Sequence, residues 1–206
     1  MKKIGLFLGS FDPITVAHIN IASCVLNANL CDKVLFVVAK HNPWKTHDPA
    51  SFIVRCGMIA SSIEVFDGKC EVCTIENEIE PPTYSYKVLD KLREKYPEDE
   101  LILICGTDTI DLVPEWRNFN THIKDKFGFI EVKRNDGTEF ENDKTPFTIR
   151  EGVRNGLTNK GFWYIKTHRL DVSSTLVRNM IKNGLNPYPY VNQETLQFIK
   201  KYNLYS

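Results

Sequence analysis

Two short polar clusters stand far apart in the chain, and the first holds residues that can work on a phosphate. The first is Gly9-Ser10-Phe11-Asp12-Pro13-Ile14-Thr15-Val16-Ala17-His18. Thr15 and His18 are three apart, so on a helix they share a face, where a hydroxyl and an imidazole can both donate to one phosphate group. Gly9 lets the backbone approach a ligand closely. The second cluster is Ser173-Ser174-Thr175-Leu176-Val177-Arg178. Its hydroxyls cap a helix, and Arg178 falls three past Thr175 on the same helix face. Between the clusters stand Asn42-Pro43-Trp44-Lys45 and Gly106-Thr107-Asp108, with Trp116 further on. This inventory is hydroxyls, one histidine, lysine and arginine, without a nucleophile–base pair. Taken alone, the first cluster is equally a strand–turn–helix with a locally satisfied histidine.

The elements that must carry these residues follow from periodicity. Residues 3–8 form a short apolar run that reads as a buried strand, and Ile19, Ile21, Ala22, Val25 and Leu26 then fall at helical spacing. The first cluster is therefore the turn between a strand and a helix. A helix N-terminus presents unpaired N–H groups and a partial positive charge, which suits a phosphate. Further buried strands are expected at 34–39, 71–75, 101–105, 127–132 and 162–165, and helices at 50–66, 84–96, 110–116, 149–157, 173–183 and 192–202. Gly184 stops the helix that Ser173 caps. Alternating strands and helices imply an α/β fold: a doubly wound, Rossmann-like parallel sheet flanked by helices, with a C-terminal helical segment. Ligands in such sheets bind beyond the carboxyl ends of the strands, and three polar clusters (9–18, 42–45 and 106–108) sit at that edge. The turn is neither Gly-x-Gly-x-x-Gly nor Gly-x-x-x-x-Gly-Lys-Ser/Thr, which disfavours a dinucleotide-type site and a P-loop.

The chain of 206 residues suits one domain, 1–206, large enough for a sizeable core. Twenty-six basic and 26 acidic side chains balance, whereas nucleic-acid and membrane-surface binders usually carry a basic excess. Neither partner is expected. No apolar run reaches the length of a membrane span, and the run after Met1-Lys2-Lys3 ends at Gly9, too short for a secretory core. A cytoplasmic location is the default. The six cysteines sit mostly among apolar residues, and Cys70-x-x-Cys73 has no second pair at metal spacing, so they read as small core residues.

The motif Gly9-Ser10-Phe11-Asp12-Pro13-x-Thr15-x-x-His18 resembles the phosphate-binding motif of the nucleotidylyltransferase superfamily. Ser173-Ser174-Thr175-Leu176-Val177-Arg178 resembles its second motif. Asn42-Pro43-Trp44-Lys45, Thr83-Tyr84-Ser85-Tyr86, Gly106-x-Asp108 with Trp116, and the ending through Tyr202, Leu204 and Tyr205 are similar to nicotinate or nicotinamide mononucleotide adenylyltransferases. The resemblance spans nearly the whole chain and is thinnest over 118–168. It departs at Thr15, where the family usually has His and pantetheine-phosphate adenylyltransferases often have Thr. It departs also at Ala17 for Gly, Val172 for Ile and Lys87 for Asp.

The resemblance implies adenylyl transfer from ATP to a pyridine mononucleotide, in NAD biosynthesis, with Mg²⁺ accompanying ATP. By the same resemblance, His18, Thr15, Lys45 and Arg178 are the catalytic set. Gly9, Ser10, Phe11, His18, Gly106, Asp108, Ser173, Ser174, Thr175 and Arg178 meet ATP, and Lys45, Ser85 and Trp116 meet the mononucleotide. No protein-built metal site is implied. His41, His47, His122 and His168 are expected in solvent or loops. Pantetheine phosphate as acceptor, another nucleotidyl transfer, and a nucleotide-binding module without turnover are the alternatives. Nicotinate against nicotinamide, and a homo-oligomer against a monomer, stay open.

Overall fold

The apolar runs become the strands of one sheet in the computed structural model, which describes residues 1–40, 49–134, 147–154, 156–167 and 172–206. The first four strands are β1 (Lys3–Gly9), β2 (Lys33–Val38), β3 (Cys70–Cys73) and β4 (Glu100–Gly106). Strands β1, β2 and β4 are buried on both faces, which is why they read as continuous apolar segments. Their side chains still alternate. Phe7, Phe36, Ile102 and Ile104 enter one core, while Leu6, Leu35, Leu101 and Leu103 enter the other.

Helices cover both faces. α1 (Val16–Asn27) and α2 (Phe52–Ile63) pack Val25, Met58 and Ile59 into the first core. α3 (Ser85–Lys95) turns Val88, Leu89 and Leu92 into the second, joined by Ile110 of the single turn α4 (Thr107–Ile110). α5 (Ser174–Lys182) and α6 (Gln193–Lys201) return to the first core through Val177 and Ile199. β5 (Gly128–Arg134), β6 (Phe147–Gly152) and β7 (Phe162–Thr167) complete a seven-stranded sheet of order β3-β2-β1-β4-β5-β7-β6.

The chain winds outward from β1 through β2 to β3, then returns to β4 on the other side of β1. The order therefore reverses between β1 and β4. Gly9 pairs in register with Val38, and Gly106 with Val132, so the carboxyl ends of these strands form one edge. The polar turns after β1 and β4 lie at the crevice where such sheets bind ligands.

Two expected helices are corrected. The helix expected over 149–157 is the strand β6, antiparallel to β7, with Ile149 opposite Ile165. Phe147 and Ile149 repeat with period two and pack on the first core, and pairing with β7 overrides the local helical count. The helix expected over 110–116 is instead α4 followed by a 3₁₀ turn at Val113–Glu115. Pro114 cannot supply the N–H that a continuing α-helix needs.

Candidate active site

The turn after β1 is built around its own side chains. Thr15 is the N-cap of α1, and His18 is the third helical residue. The Thr15 N–H donates to Nδ1 of His18 at 3.0 Å, and the Thr15 hydroxyl lies 2.9 Å from the same nitrogen. This is a capping box, with histidine where glutamate or glutamine usually stands. A backbone N–H can only donate, so Nδ1 is the unprotonated nitrogen and the ring proton sits on Nε2. The Phe11 ring meets the imidazole edge-on at 5.2 Å and Phe7 at 5.5 Å. Phe11 is buried, with φ +47°, so its side chain orients His18 from within the core and is not laid open to ATP. Gly9 is glycine for the same reason: a Cβ there would meet the Phe11 ring at 2.9 Å.

The second cluster lands on the first. Ser174 Oγ donates to the Pro13 carbonyl at 2.8 Å across 161 residues of sequence. Arg178 donates to the Asp12 carbonyl at 2.7 Å and to the Thr175 hydroxyl at 3.0 Å. Ser173 caps α5 by accepting from the Leu176 N–H at 3.1 Å. The hydroxyls of this motif thus have protein partners, and the element that can still meet a phosphate is the helix start itself, whose first N–H groups have no intrahelical acceptor. The N-termini of α1 and α5 both rise beside the turn 9–15, and the Arg178 side chain reaches from α5 to that turn.

Across the order switch, Asp108 is exposed in the first turn of α4. Gly106 is the N-cap and has no side chain to cap with; Asp108, the second helical residue, puts an acidic group in the first turn. A Cβ on Gly106 would meet the Asp108 carboxylate at 2.7 Å; glycine lets that carboxylate fold over the strand end. Below it, the buried Glu131 accepts from the Thr107 hydroxyl at 3.0 Å and from Arg154 at 3.1 Å, and Arg154 also pairs with Asp111.

Ser85 opens α3, and Trp116 follows the 3₁₀ turn, half-buried against the second core. Lys45, with Asn42, Pro43, Trp44, His41 and His47, lies outside the described residues, as does His168. His122 is about one-third exposed, and its Nδ1 lies 2.5 Å from Asp90. All six cysteines are free thiols. Burial pushes Cys24 up to about 11 and Cys70 up to about 12. With burial foremost, Cys31 and Cys105 also reach about 12. Among the described residues no cluster of His, Cys, Asp and Glu is placed to hold a metal.

Residues 6–180 match the cytidylyltransferase-like family. The chain belongs to that family. Among its relatives are proteins named "probable nicotinate-nucleotide adenylyltransferase". The one from Clostridium perfringens is 31% identical, with all of this chain and 98% of that protein covered. The one from Flavobacterium johnsoniae is 28% identical, with 98% of each covered. Among solved structures, Plasmodium falciparum nicotinic acid mononucleotide adenylyltransferase complexed with NaAD superposes with a TM-score of 0.76. At 21% identity over all of this chain and 98% of that one, it shows a shared fold.

Within this cytidylyltransferase-like site, three residues were not singled out from sequence. Arg55 is 1% exposed and donates to the carbonyls of Ala50 (2.9 Å), Ser10 (2.6 Å) and Lys40 (3.3 Å). It ties the ends of β1 and β2 to the start of α2. Burial lowers its pKa and the charge of Asp12 partly offsets this; an arginine stays cationic regardless. Its signal was in plain view: Phe52, Arg55, Ile59 and Ser62 mark the inward stripe of α2, with a charge inside it. Glu76 is also buried and accepts from the Lys40 N–H at 2.8 Å. Asp12 is fully buried and accepts from the Ala50 N–H at 3.0 Å.

Proposed function

We infer that this chain is a nicotinate-mononucleotide adenylyltransferase. The observation that carries the reading is the convergence of the α1 and α5 N-termini on one turn at the order switch, in a chain whose relatives carry that name along its whole length. The reaction joins the 5′-phosphate of the mononucleotide to the α-phosphorus of ATP. An oxygen of that phosphate forms the new P–O bond, the bond from the α-phosphorus to the bridging oxygen breaks, and pyrophosphate leaves with the electron pair. The attacking phosphate is already an anion near neutral pH, so no strong general base is required. Rate then comes from alignment and from donors aimed at developing charge.

The site residues suit that demand. Thr15, buried beneath His18, acts by setting the imidazole so that Nε2–H donates to the phosphate oxygens at the reacting centre. Arg178 and the first N–H groups of α5 hold the β and γ phosphates of ATP, and Lys45 adds a further cation. Asp108 accepts from ribose hydroxyls, with Gly106 leaving room for it. Ser85 and Trp116 serve the pyridine end of the acceptor. Mg²⁺ comes with ATP, held by phosphate oxygens and water. The whole chain, 1–206, acts as one catalytic domain in the cytoplasm, and among the described residues no helix is long and apolar enough to cross a membrane.

One assay tests this: ATP and Mg²⁺ with nicotinate mononucleotide, nicotinamide mononucleotide and pantetheine phosphate in parallel, following pyrophosphate and the dinucleotide. Nicotinate mononucleotide should react fastest. Reaction with pantetheine phosphate and neither pyridine nucleotide would overturn the assignment.

A further inference from the structure

Tyr205 lies 193 residues from Asp12 in sequence, yet its hydroxyl donates to Asp12 Oδ1 at 2.7 Å. Asp12 is no ordinary surface acceptor. It is fully buried, its carboxylate also takes the Ala50 N–H, and its own backbone carbonyl takes the guanidinium of Arg178 at 2.7 Å. The next carbonyl, Pro13, takes Ser174 of α5. A tyrosine hydroxyl on one side of this turn and Arg178 on the other therefore grip the same residue.

The segment that delivers Tyr205 is anchored on its own account. Ser62 of α2 lies 3.1 Å from the Thr195 hydroxyl and donates to Asn192 at 3.2 Å, which docks α6 on α2. The Leu204 N–H closes back on Ile199 at 3.0 Å. Ahead of α6, the Tyr190 carbonyl takes the Val16 N–H at 3.0 Å, so the C-terminal segment touches the first motif twice. Tyr205 itself has φ +65°. That left-handed conformation is costly for a bulky side chain and persists where surrounding contacts over-determine it. Burial above all, with the neighbouring Asp12, pushes the Tyr205 hydroxyl well above its ordinary range, so it stays a donor.

We propose that Tyr205 is a positioning residue for adenylyl transfer: by holding Asp12 it sets the turn whose carbonyl aims Arg178 at the leaving pyrophosphate. The proposal rests on the adenylyltransferase reading, and its test separates the two. Tyr205→Phe keeps the ring and removes only the hydroxyl. Its kcat should fall by about ten- to a hundredfold, the range that one hydrogen bond to a charged group supports. In an Arg178→Lys background the same change should cost less than about twofold, because the two residues act through one turn. In the free protein, Tyr205→Phe should speed amide hydrogen exchange in peptides covering 9–18. If the wild-type chain releases no pyrophosphate, the adenylyltransferase reading fails by itself, and the exchange arm still decides on Tyr205. Unchanged exchange over 9–18, unchanged kcat, losses that simply multiply, or a Tyr205→Phe chain that does not fold would each overturn the positioning role.

Discussion

The proposed function gives His18 two jobs, and one substitution can separate them. Nδ1 closes the capping box on the Thr15 N–H, and in the proposed reaction Nε2 offers its proton to the phosphates. His18→Ala removes both. Losing a cap bond costs about 1 kcal/mol of stability, and losing one preorganised donor to developing charge costs about 2.7–4 kcal/mol in the transition state, or about 10²–10³ in kcat. The pre-organisation is visible: the ring is held by Thr15 from below and by Phe11 edge-on at 5.2 Å, so little of the donor's value is spent on ordering it. His18→Gln is the sharper test. Glutamine is a natural third residue of a capping box and can reach back to the Thr15 N–H. Its melting temperature should therefore stay near wild type, while kcat, measured by pyrophosphate release at saturating ATP and mononucleotide, should still fall by about 10²–10³. A His18→Gln enzyme within about threefold of wild type would show that the Nε2 proton is not the donor that matters. An equal loss of stability in both variants would place the defect in the helix start.

Three other outcomes are expected. Arg55→Met keeps bulk but leaves the carbonyls of Ser10, Lys40 and Ala50 without their donor; breaking such a buried charge cluster costs about 3–5 kcal/mol, or about 6–20 °C of melting temperature at this chain length, and a shift below about 3 °C would show that water replaces the guanidinium. Trp116→Ala should raise KM for the mononucleotide by several-fold to about tenfold, with KM for ATP little changed, if the indole stacks on the pyridine ring; an unchanged acceptor KM would remove only that role. Burial is the main reason Glu76 titrates above its ordinary 4.5, with the Lys40 N–H and Arg55 pulling the other way. A carboxyl raised in the folded state contributes stability below its unfolded pKa and loses it as pH rises through the folded one, so urea midpoints of Glu76→Gln should gain on wild type as pH rises above the ordinary carboxylate range of about 4, and a constant or reversed gap would contradict the shift.

Much of the site was legible because its signals are local. A buried strand, a polar turn and an apolar stripe at helical spacing specify the strand–turn–helix at 3–27 through short-range sterics and periodicity, and Thr15 marks the helix start by its own side chain. Ser173 and Asn192 likewise announce α5 and α6, each accepting from an N–H three residues on. What periodicity cannot carry is a partner chosen by the sheet. Residues 147–152 became a strand because β7 offered them a ladder. Ser174 spends its hydroxyl on Pro13, and Tyr205 reaches Asp12, because the order β3-β2-β1-β4-β5-β7-β6 brings α5 and the C-terminal segment back over the end of β1. A hydroxyl in a motif can face a ligand or a carbonyl equally well by its chemistry. Which one it meets depends on groups more than a hundred residues away, and only the packed chain brings them within 3 Å.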